Sequence, residues 1–134
     1  MPRLSIRIDF EPSGSALGPG MVRLLEAIER ENSLRGAARS LDMSYRKAWV
    51  LIQDMHATFK GPVVTAEAGG LAGGCSQLTE LGRNLIKLYR RIENQAEFAA
   101  RTEMESLEAK VRPNAPPRGA LRSSRKFQAP SGQH

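Results

Sequence analysis

A hydroxyl group and two cations stand close together near the middle of the chain. Ser44 is followed, after one residue, by Arg46 and Lys47, where a helical pattern begins. A serine in that place caps the helix, because its oxygen accepts hydrogen bonds from free backbone N–H groups of the first turn. Arg46 and Lys47 then occupy the second and third helical positions, where the helix dipole adds to their positive charge. This arrangement indicates contact with phosphate groups or with guanine.

Two short helices and the turn between them must position these side chains. The first helix is predicted from apolar residues spaced three and four apart, which are Leu34, Ala37, Ala38 and Leu41. Asp42 and Met43 interrupt the pattern before the second helix starts. The inward face of the second helix is predicted to hold Ala48, Trp49, Ile52, Met55 and Phe59. A helix, a tight turn and a helix with a basic, exposed start form the helix-turn-helix pattern, whose second helix enters the major groove of DNA.

A small β-hairpin is predicted after the second helix. Residues 63–65 and 77–78 read as strands, and the glycine-rich run 68–76 reads as the loop between them. A strand, a glycine-rich tip and a returning strand behind a helix-turn-helix make a wing. The glycines permit a tight turn and a close approach of the backbone to DNA. The run lacks the Gly-Lys-Ser/Thr ending of a P-loop, which argues against a nucleotide-binding loop.

The candidate DNA contacts lie on the exposed faces of both helices and on the wing. Hydroxyls and basic side chains are expected at phosphates, and the residues one turn further along the second helix are expected at bases. The alternative for each basic residue is a solvated surface position. The predicted DNA-binding residues are Arg35, Arg39, Ser44, Tyr45, Arg46, Lys47, Val50, Gln53, Lys60, Gly70 and Gly73.

The segments on either side complete the predicted fold. Leu4 to Phe10 alternate between apolar and polar residues, which predicts a half-buried strand, and Pro12 to Gly20 is predicted to be a loop. A helix is predicted from Met21 to Asn32, with Ser33 as the cap of the next one. Its inward residues are expected to be Val22, Leu25 and Ile28, and its surface is expected to carry an ion pair between Glu26 and Arg30.

A long helix, capped by Thr79, is predicted to follow the wing. Its apolar stripe continues to Val111, which indicates about 32 residues and a length of roughly 48 Å. Such a helix outruns a domain of this size, so we expect its stripe to pack on a second copy of the chain. The alternative is a helix that frays after Ala100. The predicted dimerisation residues are Leu81, Leu85, Leu88, Ile92 and Ala96.

Composition narrows the class of protein. The chain has 134 residues with a net charge of +6 and an isoelectric point near 10.1, which favour a polyanionic partner. Cys75 is the only cysteine, so a disulfide framework is impossible, and we expect Cys75 to be a passive thiol rather than a redox sensor. No apolar run approaches a membrane span and the N-terminus lacks the apolar core of a signal peptide, so we expect a cytoplasmic protein without a membrane partner.

Catalytic and metal-binding chemistry is not indicated. No Ser-His-Asp, Cys-His or paired-carboxylate constellation is evident, so we predict that the protein is not an enzyme and has no cofactor. Trp49 is predicted to be a core residue and not a platform for bases. His56 is predicted to be structural, because no second metal ligand lies near it in the sequence.

Four motifs in this order resemble a known family. They are Ser33-x-x-Gly36-Ala37-Ala38, the hexad from Ser44 to Trp49, the glycine run 69–74 and the stretch from Leu78 to Tyr89. Together they resemble the N-terminal domain of molybdate-responsive (ModE-type) regulators and, more loosely, LysR-type regulators. The resemblance implies a winged helix-turn-helix that dimerises and regulates genes for molybdate uptake and molybdoenzymes. Members of the ModE type continue into two small β-barrel domains that hold molybdate, and we expect this chain to lack them.

We therefore predict a mainly α fold with a small β-wing: a winged helix-turn-helix with an N-terminal strand in residues 1–79, a long dimerisation helix in 80–112 and a disordered basic tail in 113–134. The predicted function is a homodimeric regulator that binds an inverted-repeat operator in double-stranded DNA. Any molybdate response is expected to require a separate molybdate-binding protein, and the alternative is a chain that acts constitutively. The alternative is a protein-interaction module that assembles through its long helix without reading DNA.

Overall fold

Helices account for most of the described structure. A computed structural model describes residues 4–66, 75–117 and 119. Its elements in chain order are β1 (Ile8–Phe10), β2 (Ser15–Leu17), α1 (Pro19–Glu31), α2 (Leu34–Ser40), α3 (Tyr45–Thr58), β3 (Val64–Ala66), β4 (Ser76–Leu78), α4 (Glu80–Ala99) and α5 (Arg101–Glu108). The strands form two antiparallel hairpins, β1–β2 and β3–β4. The predicted mainly α composition is confirmed.

The core is built chiefly from α1, α3 and the first half of α4. All three residues predicted to face inward on α1, Val22, Leu25 and Ile28, are fully buried. Met55 of α3 and Tyr89 of α4 are buried with them. Of the described residues, 4–100 belong to one compact unit, and α5 belongs to a second unit in which the helix buries no residue of its own.

The predicted helix caps are confirmed. A hydroxyl oxygen at each cap accepts a hydrogen bond from the backbone N–H three residues later, at 2.7 to 3.0 Å. This satisfies a donor that the first turn of a helix otherwise leaves unpaired. The three pairs are Ser33 with Gly36, Ser44 with Lys47 and Thr79 with Gly82.

The N-terminal hairpin differs from the prediction. The predicted strand is regular only over β1, and the predicted loop contains β2, which pairs Ile8 with Leu17. Pairing with β1 and the burial of Leu17 hold β2 in place, and three residues are too short a run to show an alternating pattern. Before β1, the carbonyl of Ile6 accepts a hydrogen bond from the Tyr89 hydroxyl at 2.6 Å. Burial is the main reason that the pKa of Tyr89 is raised above its ordinary value, and the Glu93 carboxylate adds to the effect.

The predicted long helix is interrupted. Regular α-helix ends at Ala99, and α5 begins at Arg101, so the prediction of one continuous helix is wrong at Ala100. Ala100 has φ −102° and ψ 16°, outside the helical well. Helices are held mainly by burial of one face, and α5 has no buried residue to supply that burial.

The ion pair predicted within α1 is replaced by a pair between helices. Glu26 accepts two hydrogen bonds from Arg90 of α4, at 2.8 and 2.9 Å, rather than pairing with Arg30. Arg90 also donates to Glu93 at 2.7 Å. The bonds to Glu26 and then to Glu93 raise the pKa of the Arg90 guanidinium, so its charge is fixed. A bidentate arginine–carboxylate pair is stronger than a single pair on a helix surface, which explains the choice of partner.

A close contact fixes the start of α4 against the chain that leads into β3. The Thr79 hydroxyl donates to the Pro62 carbonyl at 2.7 Å, and the Thr79 N–H donates to the Val63 carbonyl at 3.0 Å. Gly82, one turn into α4, packs so closely on that Val63 carbonyl that an added Cβ atom would collide with the oxygen. The position therefore excludes every residue except glycine unless the helix moves.

We predict that Gly82→Ala lowers the free energy of unfolding by about 1–3 kcal/mol, the usual cost of forcing an extra carbon into a packed site. The measurement is urea unfolding followed by circular dichroism. Gly20→Ala in α1 is the matched control, because no atom lies within 4 Å of its added Cβ. Equal stabilities for the two variants would contradict the proposed clash.

Candidate nucleic-acid interface

The turn between α2 and α3 sets the angle at which α3 begins. Asp42 adopts a left-handed backbone conformation with φ 56°, which asparagine and aspartate tolerate better than most residues. The N–H of Met43 donates to the Ala38 carbonyl at 2.9 Å, and the N–H of Asp42 donates to Arg39 at 3.1 Å. These bonds use carbonyls left free at the end of α2 and hold the turn tight. The predicted succession of helix, short turn and helix is therefore present.

The first turn of α3 presents a polar, positively charged surface. Its cap residue Ser44 is exposed, and so are Arg46 and Lys47, which stand at the second and third helical positions as predicted. No acidic residue lies in that first turn. The positive end of the helix dipole and both cations therefore face solvent together.

Arg35 of α2 reaches across to the start of α3. The carbon at the centre of its guanidinium group lies 4.6 Å from the centre of the Tyr45 ring, a distance typical of a cation–π contact. This contact orients Arg35 without neutralising it. Beside the pair lies a cleft of about 460 Å³, lined by Arg35, Ala38, Arg39, Asp42, Met43, Ser44 and Tyr45.

The basic side chains of this surface are not paired with carboxylates. Elsewhere in the described part of the chain, Arg7, Arg30 and Arg90 form ion pairs with carboxylates. None of the five predicted basic DNA contacts is in such a pair, and all five are exposed. They are Arg35, Arg39, Arg46, Lys47 and Lys60. Asp42 and Asp54 are the exposed acids on the same two helices and their turn.

Trp49 does not lie in the core, which corrects the sequence-based prediction. Its side chain is 48% exposed, whereas Ala48 and Ile52 are buried. A helix turns about 100° per residue, and the small Ala48 takes the inward position that had been assigned to Trp49 as well. The outward face of α3, away from Ala48 and Ile52, carries Val50, which is 44% exposed, and Gln53, which is also exposed, as predicted.

Trp49 is the surface residue that sequence reasoning missed. Helical angle alone held the signal: Ala48, Ile52 and Met55 already form a complete inward face at positions i, i+4 and i+7, which leaves Trp49 on its edge. Its size and apolar character favoured the core prediction instead.

The β3–β4 hairpin is anchored on two helices. Its register pairs Val64 with Leu78, close to the predicted strands. The Val64 N–H donates to Nε2 of His56 on α3 at 3.4 Å, and the Ser76 N–H donates to the carbonyl of Asn32 at 3.0 Å. His56 thus has the structural role that was predicted. Gly70 and Gly73, the predicted DNA contacts at the tip, lie outside the described residues.

The predicted dimerisation residues divide between two faces of α4. Leu85 is buried in the chain's own core, so it is not available to a partner. Leu88 and Ile92 are 55% and 43% exposed. Leu81 and Ala96 are half-buried.

The described residues contain no cluster of three histidine, cysteine, aspartate or glutamate side chains that could hold a metal ion. Among them, no helix combines the length and the apolar character that crossing a bilayer requires.

Sequence comparisons show what this chain is similar to. It is 40% identical over 99 residues to the molybdenum transport protein ModE of Azotobacter vinelandii, which covers 74% of this chain and 36% of that protein. It is 45% identical over 84 residues to the molybdenum-pterin-binding protein MopB of Rhodobacter capsulatus, covering 63% of this chain and 31% of that protein. It is 34% identical over 71 residues to the DNA-binding transcriptional dual regulator ModE of Escherichia coli, covering 53% of this chain and 27% of that protein. No protein-family model matches the chain.

These similarities confirm the resemblance to ModE-type, molybdenum-related proteins at the level of sequence. The matched regions span about a third of the length of these relatives. Their names describe regulation, transport or binding rather than catalysis, in agreement with the prediction that this chain is not an enzyme.

Proposed function

We propose that this chain is a DNA-binding transcriptional regulator with a winged helix-turn-helix, linked to molybdenum metabolism. The observation that carries the proposal is the set of five exposed basic side chains on α2, α3 and the segment after α3, none of which forms an ion pair with a carboxylate of the described residues. The similarity to proteins named as ModE regulators supports the same reading.

The geometry suits a DNA duplex. The capped start of α3 carries Arg46 and Lys47 into the major groove, where arginine binds guanine with two hydrogen bonds. Arg35 and Arg39 of α2 lie beside it and contact phosphates, which sets the register of the protein on the duplex. The β3–β4 hairpin acts as the wing, with Lys60 at its base.

The DNA-binding form is a homodimer joined through α4. Leu88 and Ile92 are large apolar side chains, one helical turn apart, on a face that the described chain leaves exposed. A two-fold axis would bring this face against its copy and present two α3 helices about 34–36 Å apart, as an inverted-repeat operator requires.

Arg46→Ala is expected to weaken binding to the preferred operator by about 1–3 kcal/mol, because it removes a bidentate contact to a base pair. Affinity should also fall steeply with added salt, because phosphate contacts release counterions. Fluorescence anisotropy with labelled duplexes measures both effects. Lys110→Ala, which removes one exposed positive charge beyond α5, is the matched control. An equal loss of DNA affinity in the two variants would mean that Arg46 contributes only its charge and makes no specific contact with a base pair.

Leu88→Glu is expected to give a monomer that stays folded, since Leu88 contributes little to the chain's own core and a buried carboxylate would oppose dimerisation. Val50→Glu adds the same charge on α3 and should remain a dimer while losing DNA affinity. Sedimentation equilibrium gives the masses. A monomeric wild-type chain at micromolar concentration would count against the dimer.

The molybdate response is assigned to a separate molybdate-binding protein. An oxyanion site needs several convergent donors in a closed pocket, and the hydroxyls of Ser33, Ser44 and Thr79 belong to the starts of three different helices. Calorimetric titration of the 134-residue chain with molybdate is expected to show no stoichiometric heat. A one-to-one isotherm would place a sensing site within this chain.

The second candidate function is a protein-interaction module that uses the same helices without reading DNA. The exposed apolar residues of α4 favour it as much as they favour a dimer. Comparing the affinities of the chain for duplexes of many different sequences separates the two candidate functions. A protein-interaction module would show no preference among DNA sequences at any salt concentration.

A further inference from the structure

Two large apolar side chains interrupt the polar surface of α3. Trp49 and Val50 are nearly half exposed, and they lie between exposed Arg46 and exposed Gln53. The four residues are spaced at i, i+3, i+4 and i+7, so each lies beside the next on the helix surface. Within the described parts of the chain, no aromatic or cation–π contact engages the Trp49 ring.

The patch matches one feature of the DNA major groove. Arginine pairs with guanine and glutamine with adenine, but an indole ring and a valine side chain offer no hydrogen bond at their apolar surfaces. The C5 methyl of thymine is the apolar group that standard bases display in this groove. Contact between that methyl and an apolar side chain removes both from water.

We infer that Trp49 and Val50 form a thymine-methyl contact surface that gives this chain its preference for T·A base pairs at the centre of each half-site. The inference rests on the proposed function, because it names which bases the same α3 face selects. Trp49 and Val50 are specificity-determining residues, whereas Arg46 and Gln53 make the polar contacts on either side.

The dimensions of the helix support this assignment. Arg46 and Gln53 are seven residues apart, which corresponds to about 10 Å along the helix axis. Bases along one strand are separated by about 3.4 Å, so this distance covers about three base pairs. Trp49 and Val50 fall in the middle of that range. Charge favours a duplex over an apolar protein partner here, since Arg46 and Lys47 flank the patch, form no ion pair within the described residues and would be costly to bury against a neutral surface.

The test removes thymine methyl groups from the DNA and, in separate variants, the side chains that are proposed to contact them. The full chain is used to select duplexes from a random synthetic pool, and each thymine of the selected half-site is then replaced by deoxyuridine. Deoxyuridine keeps every base-pairing atom and lacks only the C5 methyl. We expect the wild-type chain to lose about four-fold in affinity at one or two positions, the equivalent of one buried methyl group.

The variants assign the effect to residues. Trp49→Ala and Val50→Ala should each bind thymine and deoxyuridine duplexes equally well at the position that the missing side chain contacts. Leu107→Ala, which removes an exposed apolar side chain from α5, should retain the four-fold ratio. If Trp49→Ala lowers the melting temperature, the Val50→Ala comparison decides the question.

The outcomes separate this inference from the proposed function. Binding to selected duplexes with no methyl dependence overturns the thymine contact alone, and so does a four-fold ratio that survives in both alanine variants. A change of oligomeric mass in Trp49→Ala assigns the patch to a second copy and also overturns the inference. Failure to bind any duplex overturns the proposed function and this inference together.

Discussion

The approach of α4 to the carbonyl of Val63 is the contact on which the arrangement of the other elements depends. Thr79 binds both Pro62 and Val63, and Gly82 leaves room for that carbonyl one turn later. Val63 itself is fully buried. Pro62 and Val63 therefore end the connection from α3, lead directly into β3 and receive the start of α4. His56 of α3 and Asn32 after α1 also bind the β3–β4 hairpin. The position of α4 is therefore linked, through this hairpin, to the position of α3.

Local chemistry made most helices predictable. Ser33, Ser44 and Thr79 each satisfy a backbone donor three residues away, and that interaction can be read from the sequence because both partners are close along the chain. The features that escaped prediction depend on distant partners. Glu26 was assigned to Arg30 on its own helix, but Arg90 lies 64 residues away and offers two hydrogen bonds at once. Likewise, β2 exists because it pairs with β1 and buries Leu17, which no local periodicity reveals.

Charge in this chain has two different uses, and residue counts do not distinguish them. Arg90 is held between Glu26 and Glu93, so its charge stabilises the packing of α4 on α1. Arg46 and Lys47 have no such partner among the described residues and stand at a helix start, where a nearby carboxylate would weaken the field. The candidate site could be predicted because caps and exposed charges follow local rules. The position of Trp49 was mispredicted because its size and apolar character outweighed the helical angle, which places it at the edge of the face formed by Ala48, Ile52 and Met55.

Helix α4 joins the core to the surface through residues only three positions apart. Leu85 and Tyr89 face inward, and their burial ties the helix to α1 and to the N-terminal segment. Leu88 lies about 60° round the helix from Leu85 and Ile92 about 60° from Tyr89, and both remain exposed. A regular heptad stripe does not distinguish these faces, which is why the sequence placed Leu85 and Leu88 in one set. If α4 joins two copies as proposed, the rigid packing of Tyr89 and Leu85 fixes how each α3 is oriented in the dimer. The spacing of the two DNA-reading surfaces would then be set by the core of each subunit as much as by the contact between subunits.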